Sequence, residues 1–188
     1  MFYDLASTLL FAPTSVDEII PGVWLGNYKS AIDIDFLKQN NIKFILNCTP
    51  NMPFYNEIYN SEDLKGLQKI DTYRIPVNDS LLEHDLLLME QYFKIVIPIL
   101  VKKYTQKKNI LVHCHAGKQR SAIIIAALLK VLLDSKMLTL ENITSKPKSQ
   151  KHQFDKIAEY LLQKRSQVFT YGLRINFEPT YKRFFKIK

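Results

Sequence analysis

The sequence predicts an α/β domain, and three observations carry that expectation. Short apolar runs of strand length alternate along the chain with longer stretches of helical pattern, the order expected when strands and helices form separate layers on one core. Asn109-Ile110-Leu111-Val112 passes through a polar loop straight into the apolar run Ala122 to Leu133, which reads as a buried strand, a tight loop and a helix. With 188 residues, 47% of them hydrophobic and only five glycines, the chain can build a full core and is unlike disordered or collagen-like sequences.

Taken in order, strands are expected at about 19–26, 43–48, 72–76 and 109–113, and helices at about 30–39, 86–105, 121–135, 138–145, 153–164 and 177–185. Residues 1–15 form an apolar segment ahead of the first strand. Phe2, Tyr3, Leu5, Leu9, Leu10 and Phe11 crowd a stretch that Pro13 ends, and so much apolar surface seeks cover on its own domain or on a second copy. The segment lacks the basic start of a signal peptide and its apolar run is too short for one. Ser30 is expected to cap the first helix, whose apolar face is Ala31, Ile34, Phe36 and Leu37. Asp85, directly before Leu86-Leu87-Leu88, is expected to cap the second, and Pro98 to kink or split it. Polar, basic residues near 142–153, including Lys146-Pro147-Lys148, read as an inserted exposed loop. Asn176 reads as a surface helix cap, with orientation of loop residues as its other reading.

The most informative stretch is His113-Cys114-His115-Ala116-Gly117-Lys118-Gln119-Arg120-Ser121. A cysteine at a strand end and an arginine six positions on, in the first turn of a helix, bracket a loop whose amides can converge on one point. Helix N-termini carry unpaired N–H groups and partial positive charge, which suits a dianion. The same field favours a thiolate, the reactive nucleophile. Gly117 lets the backbone turn inward with no Cβ in the way, and the Arg120 fork can hold two phosphate oxygens. The chemistry implied is phosphoryl transfer to cysteine. A metal reading of His113, Cys114 and His115 is poor. Neighbours on a strand face opposite ways, and two cysteines and four histidines leave no second ligand cluster.

This loop resembles the signature of the cysteine-dependent protein phosphatases: His-Cys, five residues, Arg, Ser/Thr. Its Ala-Gly pair and the Ser-Ala after the arginine are most similar to the dual-specificity branch. Ile19-Ile20-Pro21-Gly22-Val23-Trp24-Leu25-Gly26-Asn27 resembles that family's opening hairpin, and Ile42 to Thr49 its next strand. The resemblance implies one protein-phosphatase-like domain over 16–188, with a central mixed sheet flanked by helices and the phosphate loop between a strand and a helix. It implies Cys114 as nucleophile and the amides of His115, Ala116, Gly117, Lys118, Gln119 and Arg120 as the phosphate cradle. Ser121 would hydrogen-bond the sulfur as it leaves, and His113 would orient the loop and tune the thiol. Asp79, in Ile75-Pro76-Val77-Asn78-Asp79-Ser80, matches the family's general acid; its other reading is a turn or helix-cap aspartate. Family members with a cysteine at the position of Cys48 form a disulfide to the nucleophile under oxidation; the other reading of Cys48 is core packing. The family's proline-asparagine stretch after the last basic helix is missing here, where Arg165 to Phe177 follows instead.

The resemblance implies phosphotyrosine and phosphoserine/threonine in proteins as substrates, with no cofactor or metal. Lys118 occupies a position that is basic in lipid-directed branches, which keeps phosphoinositides open. RNA 5′-triphosphates are a third possibility, although related loops there read Asn-Arg-Thr. A phospho-binding pseudophosphatase would usually have lost the cysteine, the arginine or the acid, and this chain keeps all three. The Gln-Arg-Ser-Ala ending and lysine-rich chain are similar to copies in large DNA viruses, some of which exchange an N-terminal segment to form homodimers. A net charge of +8 and a pI near 9.3 favour encounters with anionic partners without selecting among them. Two cysteines give no disulfide framework, which points to a reducing, cytoplasmic compartment. No apolar stretch is long enough to span a bilayer.

Overall fold

A computed structural model describes residues 14–80, 82–141, 143, 149–170 and 175–187. The apolar residues before Thr14, with the exchange considered for them, and most of the basic stretch around Lys146 lie outside the described residues.

Strand formation follows the apolar runs. Strands β1 (Val16–Ile20) and β2 (Val23–Gly26) form a hairpin, turned by Pro21-Gly22 with Gly22 at φ +81°, a conformation that glycine adopts without steric cost. The single strand expected over 19–26 is thus two strands that meet at this turn. β3 (Ile42–Asn47), β4 (Asp71–Arg74) and β5 (Asn109–His113) complete a sheet of order β1-β2-β5-β3-β4. The hairpin is antiparallel and every other pairing is parallel, so the sheet is mixed. β5 lies between β2 and β3, and its end delivers Cys114 to the C-terminal edge of the sheet.

Alternation along the strands sorts the two faces. Phe44, Leu46, Ile110 and Val112 join the larger core, whereas Ile45 and Leu111 join the smaller one on the other side, as the period of two requires. The larger face carries α4 (Glu83–Thr105), α5 (Arg120–Asp134), α6 (Gln150–Lys164) and α7 (Glu178–Phe184); the smaller carries α1 (Tyr28–Ala31), α2 (Ile34–Gln39) and α3 (Tyr55–Ile58). α5 is the central helix, buried from Arg120 to Lys130, so its start, and with it Arg120, is held by packing on all sides. Among the described residues no helix is long and apolar enough to cross a membrane.

Several local expectations are corrected. Ser30 is no cap: Asn27 and Asp33 cap α1 and α2 through their side chains, and Ser30 sits buried, donating its hydroxyl to the Asn27 carbonyl at 2.6 Å. α4 begins at Glu83, so Asp85 lies in its first turn rather than at the cap, where a carboxylate still suits the positive end of the dipole. Pro98 does not split α4, which runs unbroken to Thr105. No helix forms at Leu138 to Leu140; Leu140 bridges Ile143 in an antiparallel contact that buries Ile143. The β-branched Thr139 and Ile143 weaken a helix there. The basic insertion is shorter than expected, because residues 150–153 already belong to α6, capped by Ser149.

Candidate active site

The loop from Cys114 to Gln119 joins β5 to α5, and its carbonyls face outward. His115 O accepts from Tyr28 N at 3.1 Å and Lys118 O from Phe169 N at 2.9 Å. Between them Arg165 takes the two remaining carbonyls, Nε to Gly117 O at 3.0 Å and Nη2 to Ala116 O at 3.4 Å. With successive carbonyls satisfied from behind, the loop's N–H groups are free to turn inward toward one point, the geometry of an anion nest. Arg165 is itself buried, and its third contact is an ion pair with Asp17 Oδ2 at 2.6 Å. The loop is therefore braced against β1 and the end of α6.

Gly117 has φ +67°. A Cβ there would lie 2.5 Å from Gly26 O and 2.9 Å from Arg165 Nη2. The loop packs directly on the end of β2, and only glycine permits that approach. The Gly117 amide instead donates to Cys114 Sγ at 3.2 Å, so this residue stands behind the sulfur rather than on the open wall.

Cys114 is almost wholly buried. Burial pushes its thiol up, but Arg120 and hydrogen bonds from the Ser121 hydroxyl and the amides of Ser121 and Lys118 outweigh that and hold it below the ordinary thiol range. The Ser121 hydroxyl lies 3.2 Å from the sulfur. His113 is buried too; burial first, with Arg74 and Arg120 adding to it, pushes its pKa down to about 3, so the ring is neutral at physiological pH. Its Nδ1 lies 3.4 Å from Cys114 O, beside the loop's first turn. His115 is drawn down by partial burial and by Arg120.

Arg120 is fixed by Nη1 to Val77 O at 3.1 Å, while its buried Nε has no hydrogen-bond partner among the described residues. Asp79 Oδ2 stands 3.7 Å from that Nε. Cys114, Arg120, Asp79, His115, Ala116, Lys118 and Gln119 line one cleft of about 420 Å³. The expected nucleophile, acid and cradle residues other than Gly117 therefore share one cavity, with the Ser121 hydroxyl beside the sulfur. Asp85, the other carboxylate considered on that loop, is buried away from the cleft. It accepts from the Ser80 hydroxyl and, at 3.4 Å, from Asn78 N, and so shapes the loop that carries Asp79.

Sequence reasoning gives Arg165 no role at this site. Asn176 is not the surface cap expected but contacts the loops, its other reading: it is buried, with its side-chain amide on Asp79 Oδ1 at 2.8 Å and its backbone N–H on Gln119 Oε1 at 3.1 Å. The helix that follows is capped at Phe177 instead.

Cys48 lies just beyond the end of β3, fully buried, and its N–H donates to His113 O at 2.8 Å. Burial pushes its thiol well up, and Cys114 adds to the effect. Both cysteines are free. Among the described residues no group of three or more His, Cys, Asp or Glu side chains is arranged to hold a metal ion.

The family model of the dual specificity phosphatase catalytic domain matches residues 23–167. The chain belongs to that family. Human dual specificity protein phosphatase 6 is 31% identical over 137 residues, 73% of this chain and 33% of that protein. Drosophila melanogaster dual specificity protein phosphatase Mpk3 is 37% identical over 113 residues, 60% of this chain and 25% of that protein. The chain thus spans about a third or less of these curated relatives. The crystal structure of human DUSP28 shares the fold with a TM-score of 0.64 at 16% identity, covering 92% of this chain and 94% of that one. The dual-specificity fold is a single α/β domain, and the mixed five-stranded sheet described above is its arrangement here.

Proposed function

We propose that this chain hydrolyses phosphomonoesters of phosphotyrosine and phosphoserine/threonine in proteins through a phosphocysteine intermediate. The observation that carries the reading is the cysteine held below the ordinary thiol range, at the floor of a loop whose carbonyls from His115 to Lys118 are turned away from it. Family membership supports the reaction class.

The Cys114 thiolate attacks phosphorus in line with the ester bond. As the P–O bond breaks, Asp79 gives its proton to the leaving oxygen, and the phosphoryl group rests on Sγ. Water then attacks phosphorus, Asp79 takes its proton, and the P–S bond breaks with its electron pair returning to sulfur. Ser121 steadies that thiolate through its hydroxyl. Arg120 and the loop amides neutralise the phosphoryl oxygens in both steps, so most of the assistance is positional and electrostatic. Splitting the hydrolysis replaces one hard displacement by two easier ones. Two free cysteines suit a reducing, cytoplasmic compartment.

A second reading is a phosphoinositide phosphatase, favoured by Lys118 on the cleft wall, where a lysine can meet a second phosphate. One assay separates these readings from an RNA 5′-triphosphatase: turnover of matched phosphopeptides, phosphoinositides and triphosphate-ended RNA by wild type and Cys114→Ser. Protein phosphatase activity predicts the highest kcat/KM on phosphopeptides and none in the variant, which should still bind phosphate. Substantial turnover of an aryl phosphate by Cys114→Ser would remove Cys114 as nucleophile.

A further inference from the structure

Asp79 and Gln119 stand on different loops, and one residue touches both. Asn176 donates its side-chain Nδ2–H to Oδ1 of Asp79 at 2.8 Å and its backbone N–H to Oε1 of Gln119 at 3.1 Å. The residue is buried, only 4% exposed. The loop that carries the acid and the loop that holds the phosphate are thus tied through a single residue that neither contains.

The chemistry of that tie is directional. An amide NH₂ donates and does not accept. A protonated carboxyl has one hydroxyl oxygen and one carbonyl oxygen, and the carbonyl is the better acceptor. While Nδ2 donates to Oδ1, that oxygen is the carbonyl, and the proton belongs on Oδ2. Oδ2 is the oxygen turned toward Arg120, 3.7 Å from its Nε, and Asp79 lines the same cleft as that arginine.

We propose that Asn176 is a positioning residue that assigns the proton of Asp79 to the oxygen facing the phosphate. The inference rests on reading Asp79 as the general acid. With Asn176 in place, the proton leaves Oδ2 for the ester oxygen as the P–O bond breaks. Oδ2 regains a proton from the attacking water in the second step, and Oδ1 keeps its hydrogen bond throughout. The backbone contact to Gln119 sets where this happens, because Gln119 directly precedes Arg120 and is buried at the start of α5. Without Asn176 the carboxyl can rotate and place either oxygen, protonated or not, toward the ester.

The test uses the full chain with Asn176→Ala, Asn176→Leu, Asp79→Asn and the double variant Asp79→Asn/Asn176→Ala. Asn176→Leu keeps the approximate shape, adds no charge and removes the donor, and it carries the test should Asn176→Ala fail to fold. The substrates are phenyl phosphate, whose leaving group needs a proton, and 4-nitrophenyl phosphate, whose leaving group needs one less. In each Asn176 single variant kcat on phenyl phosphate should fall roughly tenfold, a part of the roughly 10²- to 10⁴-fold that a general acid contributes. KM on both esters and kcat on 4-nitrophenyl phosphate should stay within about twofold, a split that general loosening of the fold would not produce. In the Asp79→Asn background, Asn176→Ala should add nothing, since two groups acting through one proton are not additive. Equal losses on both esters, or a loss that adds to that of Asp79→Asn, would make Asn176 a packing residue and overturn the proposal. If Asp79→Asn alone shows no leaving-group dependence, the acid assignment itself fails and the proposal falls with it. If Asp79→Asn shows the dependence and the Asn176 variants do not, the acid stands and only the proposal fails.

Discussion

The backbone N–H of Cys48 bonds the carbonyl of His113 at 2.8 Å, so the two cysteines of this chain leave neighbouring strands at the same level of the sheet. Their closeness is felt electrostatically, since Cys114 adds to the upward push that burial exerts on the Cys48 thiol. Cys48 is thus the less acidic of the two thiols, beside a Cys114 thiol held below the ordinary range. Peroxide should oxidise Cys114 first, because the thiolate is the form that reacts. The sulfenic acid can then condense with the Cys48 thiol, forming a disulfide and releasing water, before a second oxidation makes the loss irreversible.

The expected outcome follows directly. Peroxide-treated wild type should regain most of its activity with a thiol reductant, whereas treated Cys48→Ser should regain little relative to its own untreated control. Mass spectrometry of the oxidised wild type should find a Cys48–Cys114 linkage. Equal recovery of the two proteins would leave Cys48 as core packing.

Ser121 offers a pH test whose sign is fixed. The thiolate is the reactive form, so alkylation of Cys114 rises with pH through its pKa, which lies below the ordinary thiol range although burial alone pushes it up. Ser121→Ala removes one of the groups that lower it, so the pKa rises and the alkylation limb moves to higher pH. Iodoacetamide labelling followed at Cys114 by mass spectrometry keeps Cys48 out of the measurement. A hydrogen bond to a charged group contributes about 1.5–3 kcal/mol, so breakdown of the phosphocysteine should slow roughly 10- to 100-fold. An unmoved limb would mean that the hydroxyl does not act on the sulfur.

How much of this site was legible in the sequence depended on how local its parts are. His113 to Ser121 is one contiguous run whose strand, loop and helix each leave a pattern, so the nucleophile and cradle could be read directly. Asp79 needed the resemblance as well, because Asp85 competes with it six residues on; packing decides between them by burying Asp85 under Ser80 and Asn78. Arg165 left no such signal, and Asn176 left only a choice between a loop contact and a surface cap. Their partners at the loop are 48 and 57 residues away in sequence, and a lone arginine after a basic helix looks like a solvated charge. The one available hint was that residues 165–177 stand where the family carries its proline-asparagine stretch. The expected helix over 138–145 is absent at Leu138 to Leu140 for the opposite reason. Its apolar residues suit either period, and the Leu140–Ile143 contact decided the outcome.

Arg165 gives a prediction about the cradle rather than the chemistry. Its guanidinium holds the carbonyls of Ala116 and Gly117 outward and takes Asp17 as its counter-ion. Arg165→Ala frees both carbonyls, and one turned inward would repel a phosphate oxygen. Misplacement of a binding group by about 1 Å can cost about 10²-fold, so inhibition by vanadate should weaken roughly 10- to 100-fold. Arg165→Lys should recover little, since an ammonium lacks the fork that spans two acceptors. Vanadate inhibition within about twofold of wild type in Arg165→Ala would show that the loop holds its shape without this brace.

Gly117 sets the limit on what the loop tolerates. Its φ of +67° costs a residue with a Cβ about 1–3 kcal/mol. The Cβ would also meet Gly26 O at 2.5 Å and Arg165 Nη2 at 2.9 Å, and Gly26 O is backbone at the end of β2, which cannot swing aside as a side chain tip can. Gly117→Ala therefore has to push the loop off β2, which carries the Gly117 amide away from Cys114 Sγ and loosens Arg165 at the same time. For a chain of this size a loss of 1 kcal/mol lowers Tm by about 2–4 °C, so the variant should melt roughly 2–12 °C below wild type. Its Cys114 alkylation limb should move toward higher pH, because an amide donor to the thiolate has been withdrawn. The two readouts together separate displacement of the loop from strain absorbed elsewhere: a lower Tm with an unmoved limb would mean that the loop gives way elsewhere and that the contact between Gly117 and Gly26 does not position the sulfur.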